Sequence, residues 1–127
     1  MGAVTVLIAA AAAWIFGAVW YGMLAKPWMA AVGFSEEDVK NGSKMPYLIS
    51  AIMAILVAGM MRHIFAMGGI DGVGKGVLTG LGLGLFIASP WIVTNYSYSN
   101  RSTTLMAIDG GYATIGCGIM GAVYGFM

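Results

Sequence analysis

The chain has 127 residues, of which 60% are hydrophobic and only 9% charged, with a formal net charge of +1 and a mean hydropathy of +0.87. A water-soluble globule of this size cannot hide so much apolar surface, and a charge near zero offers nothing to a nucleic-acid backbone, so lipid must take the place of water. The lone Cys117 also excludes an internal disulfide.

A helix needs roughly 20 mostly apolar residues to cross a hydrocarbon core about 30 Å thick. Residues 2–25 meet that requirement without one charged side chain and close on the pair Trp20-Tyr21, aromatics of the kind that sit at a membrane interface. A cleaved signal peptide is the rival reading, but a basic start is missing and aromatics stand where a small-residue cleavage site belongs. Residues 26–45 form a polar loop with six of the eleven acidic and basic residues of the chain. Within it Ser35 followed by Glu36, Glu37 and Asp38 has the form of a capping box, which predicts a short helix lying at the interface, flanked by Trp28, Met29 and Phe34. The second span covers 46–66, opened by Pro46 in its first turn and ending on Arg62 and His63, which can snorkel to the surface. The third covers 76–97, with Pro90 about two thirds along it; the missing N–H frees a carbonyl near residue 86 and predicts a kink or an end there. The fourth covers 103–127 and is interrupted by Asp109. The expected fold is therefore a single transmembrane domain, an all-α four-transmembrane-helix bundle with a short interfacial helix between helices 1 and 2. Basic residues set its orientation: Lys26, Lys40, Lys44 and Arg101 flank the first and third loops, against Arg62 and Lys75 at the second, which places both termini outside.

Glycine supplies a second pattern. Small residues at a spacing of four let helix backbones approach closely in lipid, and they recur as Gly76, Gly80, Gly84 and Ala88 on the third helix and as Ala113, Cys117, Gly121 and Gly125 on the fourth, with Ala9, Ala13 and Gly17 a shorter ridge on the first. The spacing predicts tight packing and leaves open whether the faces meet within one subunit or between two.

The segment WYGMLAKPWMAAVGFSEED after a first helix, a glycine-rich third helix and LMAIDGGYATIGCGIMGAVYG in the fourth resemble the bacterial membrane family catalogued as domain of unknown function 1761. The resemblance covers essentially the whole chain and implies a compact four-span protein, which puts it in the bacterial cytoplasmic membrane. It implies no activity, so function has to be argued from the residues.

A carboxylate inside a span is costly and faces a protein interior, a partner or water, which makes Asp109 the first candidate. Tyr112 shares its face at helical spacing, Trp91, Asn95 and Tyr98 form a stripe near the same end of the third helix, and the end of the first helix brings Tyr21 and Lys26 to that level. Together these seven residues predict a ligand or ion pocket with aromatic walls, Asp109 and Asn95 as polar anchors and Lys26, Lys44 or Arg101 as counter-charge. The plainer reading is a structural carboxylate, hydrogen-bonded to a tyrosine or gaining from the helix dipole. Met60, His63 and Met67 align on the second helix, soft ligands suited to Cu(I). Methionine more often fills irregular gaps, and Arg62 beside them opposes a cation, so neither metal nor cofactor is expected. A single histidine and the lack of nucleophile, zinc or phosphate-loop motifs argue against an enzyme. Two readings follow: an accessory, packing or small-ligand-binding subunit of the membrane, associated with itself as a homodimer or with a larger complex, or a small homodimeric transporter or channel with Asp109 and Asn95 lining the solute path.

Overall fold

Apolar runs this long have no use for loops, because backbone N–H and C=O groups in lipid find partners only within a helix. The computed structural model describes residues 2–127; it is 86% helical and has no strand among the described residues. In chain order the elements are α1 (Ala3–Met23), α2 (Ala25–Val32), α3 (Glu36–Lys40), α4 (Met45–Gly68), α5 (Val73–Leu83), a π-helical turn (Gly84–Ala88), α6 (Ser89–Tyr98) and α7 (Thr103–Phe126). The runs Ala3–Met23, Met45–Gly68, Val73–Tyr98 and Thr103–Phe126 are long and apolar enough to span a bilayer. Ile15, Leu78 and Phe86 are more than half exposed on them, surface that lipid covers and water would not tolerate. The protein is thus an all-α membrane protein.

Much of the segment between the first two spans, read above as a polar loop over 26–45, is helical. Pro27 has no N–H to give the carbonyl of Met23, so α1 stops there, Leu24 leaves the helical region (φ −103°, ψ 20°) and α2 starts at once. After α2 ends, the Ser35 hydroxyl accepts from the N–H of Asp38 (3.1 Å) and the Asp38 carboxylate from the N–H of Ser35 (2.9 Å), closing the capping box of α3. These bonds to the backbone and side chain of Ser35 hold the Asp38 carboxyl below its ordinary pKa. A lowered folded-state value means that the stabilisation is present above the unfolded pKa and is lost as pH falls through the folded one. The protection of the α3 amides, taken as observed against intrinsic exchange, is therefore expected to fall at acid pH as the Asp38 carboxyl takes up its proton, and in Asp38→Asn to lose that pH dependence.

α7 is the centre of the bundle, with α1, α4, α5, α6 and α2 all packed on it, while α4 leans on α1. Trp14 of α1 donates its indole N–H to Ser50 of α4 (3.0 Å), and Tyr124 of α7 donates to the carbonyl of Ala58 of α4 (2.5 Å). The core joins small residues, with Ala9, Ala13 and Ala58 almost wholly buried, to Met61, Met120 and the pair of Phe65 against Tyr124.

The closest approach is between α5 and α7. A Cβ built on Gly80 would collide with the backbone carbonyl of Cys117, and one on Gly121 with that of Gly76. Backbone lies against backbone there, within one chain.

Pro90 does not end the third span. The N–H of Ser89 reaches back five residues to Gly84, a π turn that widens the helix one turn ahead of the proline, and the helix runs through to Tyr98. In place of an end at residue 90 there is a change of register. On a regular helix Gly84 and Ser89 would stand about 140° apart; the extra residue of the π turn brings both onto Thr114 of α7, Gly84 by its backbone and Ser89 by a 3.0 Å hydroxyl contact.

Candidate functional site

A tight turn sets Asp109 against the end of α6. Asn100 takes the left-handed conformation (φ 63°), and the N–H of Arg101 reaches back to the carbonyl of Tyr96 (2.8 Å). Ser102 then caps α7 by accepting from Leu105 (3.2 Å). Asp109 follows six residues after Thr103, about 9 Å along the axis.

Both carboxylate oxygens are engaged. Tyr21, from the last turn of α1, donates to one at 2.5 Å, within the range of charge-assisted O–H···O⁻ bonds; Tyr96, from the last turn of α6, donates to the other. Three helices therefore meet on one side chain. Beside it the Trp20 indole donates to the carbonyl of Ile108 (2.9 Å). Its ring lies where a Cβ on Gly111 would come within 2.8 Å of it, so glycine at 111 is what lets the indole in. Tyr112 fills the space over Gly17 in the same way, stacked 6.1 Å from Phe16 and edge-on at 5.4 Å to Tyr21. The carboxylate thus sits at one end of an aromatic wall built from α1 and α7. Chemically this is a hydrogen-bond hub: the phenols spread the carboxylate's charge and tie α1 and α6 to α7.

Of the seven residues predicted to form the pocket, Asp109, Tyr21 and Tyr112 come together. Lys26 is exposed on α2, and phenols rather than an ammonium or guanidinium meet the acid. Asn95, Tyr98 and Trp91 are exposed, Tyr98 by 90%, and no hydrogen bond among the described residues joins them to Asp109. The reason is register. The face of α6 that meets α7 carries Ser89 and, seven residues on, Tyr96, and Trp91 stands roughly 200° from Ser89. Sequence reasoning missed Tyr96, which is marked only by its heptad step from Ser89 once the structure shows Ser89 buried against α7.

Ser89 donates to the carbonyl of Gly110 (3.0 Å) at the floor of an open groove of about 380 Å³ between α6 and α7, walled by Leu85, Val93, Ala107 and Ile115; Asp109 is not one of its walls. Met60, His63 and Met67 lie exposed along α4, and among the described residues no three of His, Cys, Asp or Glu gather to hold a metal.

Comparison with known proteins yields one match. A family model described as a protein of unknown function (DUF1761) aligns with residues 4–125. Neither the curated proteins nor the solved structures contain a match. With a family model spanning nearly every residue of a four-helix chain, the chain belongs to the DUF1761 family.

Proposed function

We propose that the protein is a non-catalytic membrane subunit, an accessory element that packs with a second copy or a larger membrane complex or holds a small ligand, and that Asp109 serves as its internal cross-link. The observation that carries this reading is the closure of both Asp109 oxygens by hydroxyls from two other helices. Insertion of an aspartate at a helix centre costs about 2.5–3.5 kcal/mol on translocon scales. Hydrogen bonds to a charged group contribute about 1.5–3 kcal/mol each, so two phenols are of the size needed to offset that penalty without a solute. A conduction path through Asp109 and Asn95 would need both on one lining, whereas Asn95 is exposed and bonded to none of the cluster. It would also need more polar side chains than the first two spans carry.

The excess of Lys and Arg on the first and third loops supports a cytoplasmic membrane with both termini outside. Membrane-impermeant thiol labelling of Ser43→Cys against Asp71→Cys reads that orientation: Asp71→Cys is expected to label from outside, and labelling of Ser43→Cys from outside would reverse it.

The test of function is native mass spectrometry from lipid nanodiscs on wild type and Asp109→Asn. A cross-link predicts a lower melting temperature for Asp109→Asn and wild-type companions for whatever remains folded. A variant that melts like wild type but sheds a bound small molecule would make Asp109 a ligand group and end the reading.

A further inference from the structure

A helix that follows a π turn can be seated on its neighbour in two registers, and the sequence of α6 fits both. In the observed seat Ser89 donates to the carbonyl of Gly110 (3.0 Å), Val93 walls the groove against α7, and Tyr96 donates to Asp109. One residue earlier stand Ala88, Ile92 and Asn95. The pattern is the same: a small residue, a β-branched one four positions on and a hydrogen-bond donor three beyond that. On an unbroken α-helix Ala88 and Asn95 would fall within about 40° of Gly84, whereas Ser89 and Tyr96 would stand about 140° and 120° from it. Gly84 is the residue whose backbone lies on Thr114 of α7.

Two features favour the observed seat. In a regular α-helix the ring of Pro90 would clash with the carbonyl of Phe86, four residues back, and the π turn at Gly84–Ala88 opens the helix there. Ser89 and Tyr96 then bond to α7. Against them stands the π turn itself, a departure from the α-helix that occurs mostly as single turns and often where a helix has work to do. The carboxamide of Asn95 meanwhile lies exposed and bonded to none of the Asp109 cluster.

We infer that α6 is a two-seat element: closing the π turn to regular α-helix turns α6 by about 100° and moves it about 1.5 Å along its axis, so that Asn95 replaces Tyr96 on Asp109. In the second seat Ala88 takes the place of Ser89, and Ile92 that of Val93. The turn at 99–102, where Asn100 is left-handed (φ 63°), absorbs the motion. Asp109 keeps a donor from α6 in both seats, so the two-seat helix goes beyond the cross-link proposed above and does not depend on it. What changes is the outward face. Trp91, Asn95 and Tyr98 are exposed on it in the observed seat; in the second, Pro90, Thr94 and Ser97 stand in their places, and a neighbour packed on α6 meets smaller side chains instead of two aromatics. The second seat is the minor one, on the order of 0.1–10% of molecules.

The chain has side-chain amides only at Asn41, Asn95 and Asn100, so NMR relaxation dispersion of the full chain in lipid nanodiscs follows Asn95 directly, with Asn95→Ser to assign it and Asn41 as reference. Pro90→Ala removes the wedge and touches no group that holds Asp109. Tyr96→Phe removes the competing donor and should raise the second seat roughly tenfold or more, the equivalent of one hydrogen bond to a charged group. Both variants are expected to bring the Asn95 amide into exchange with a bonded state, while Asn41 stays as in wild type. Deletion of Ile87 takes out the spare residue and leaves a regular helix with Ser89 and Tyr96 still on α7, so in that background neither substitution should have this effect. If Asn95 shows no exchange in either variant, or the same exchange with Ile87 deleted, α6 has one seat. Pro90→Ala decides between these outcomes even if Tyr96→Phe fails to fold.

Discussion

Gly80→Leu is expected to separate α5 from α7 and to lower stability by about 3 kcal/mol or more, the upper end of what overpacking costs. Gly82→Leu, two residues along the same helix, should change it by no more than about 0.5 kcal/mol. The difference lies in what a side chain would meet. A Cβ on Gly80 runs into the carbonyl of Cys117 and comes within 3.0 Å of the Cα of Gly118, whereas one on Gly82 has nothing within 4 Å. Rotating a flexible neighbour cannot relieve a clash with backbone, so the helices must part. Parting them forfeits dispersion contacts along the whole seam from Gly76 to Gly84, for which lipid is only a partial substitute. Gly121→Leu should behave like Gly80→Leu, because its Cβ would strike the carbonyl of Gly76. Thermal melting in one detergent ranks the three variants. Equal melting of Gly80→Leu and Gly82→Leu would show that the seam contributes nothing.

Four spans were legible because each is a long apolar run, and apolar length is a property of sequence alone. The ends of the spans were less so. α4 runs on to Gly68, past Arg62 and His63, because a charged side chain can snorkel without breaking its helix; what closes α4 is Gly69 in the left-handed conformation (φ 60°). The third span begins at Val73, ahead of the first ridge glycine. Asp109, Tyr21 and Tyr112 could be picked from the chain, since a carboxylate in an apolar run has few partners and aromatics at a span end mark the same level. Asn95, Tyr98 and Trp91 were chosen by the same logic of level, but level is not face. Which face of α6 meets α7 depends on the π turn at Gly84–Ala88, one residue of extra register that no periodicity in the sequence announces. Tyr96 follows from that turn, and with it the second half of the Asp109 clamp.

The clamp itself is expected to be cooperative, and a double-mutant cycle reads this directly. Tyr21→Phe and Tyr96→Phe each remove one hydroxyl and leave the ring, so each single change should cost about 1.5–3 kcal/mol, the range for hydrogen bonds to a charged group. The Tyr21→Phe, Tyr96→Phe double variant leaves the carboxylate with no phenol at all, an uncompensated charge between three helices. Its cost should therefore exceed the sum of the singles by at least about 0.5 kcal/mol, the smallest coupling seen between members of one network. Asp109→Leu removes the charge together with its need for partners. In that background Tyr21→Phe and Tyr96→Phe should fall to less than about 1 kcal/mol each, because the hydroxyls then have no carboxylate to lose. Strict additivity of the two tyrosines, with undiminished costs in the Asp109→Leu background, would mean that each phenol stabilises its helix by ring packing alone. The packing of Phe16 and Tyr21 on the ring of Tyr112 would then be what binds α1 to α7, and Asp109 would be free for the ligand role that the proposed function denies it.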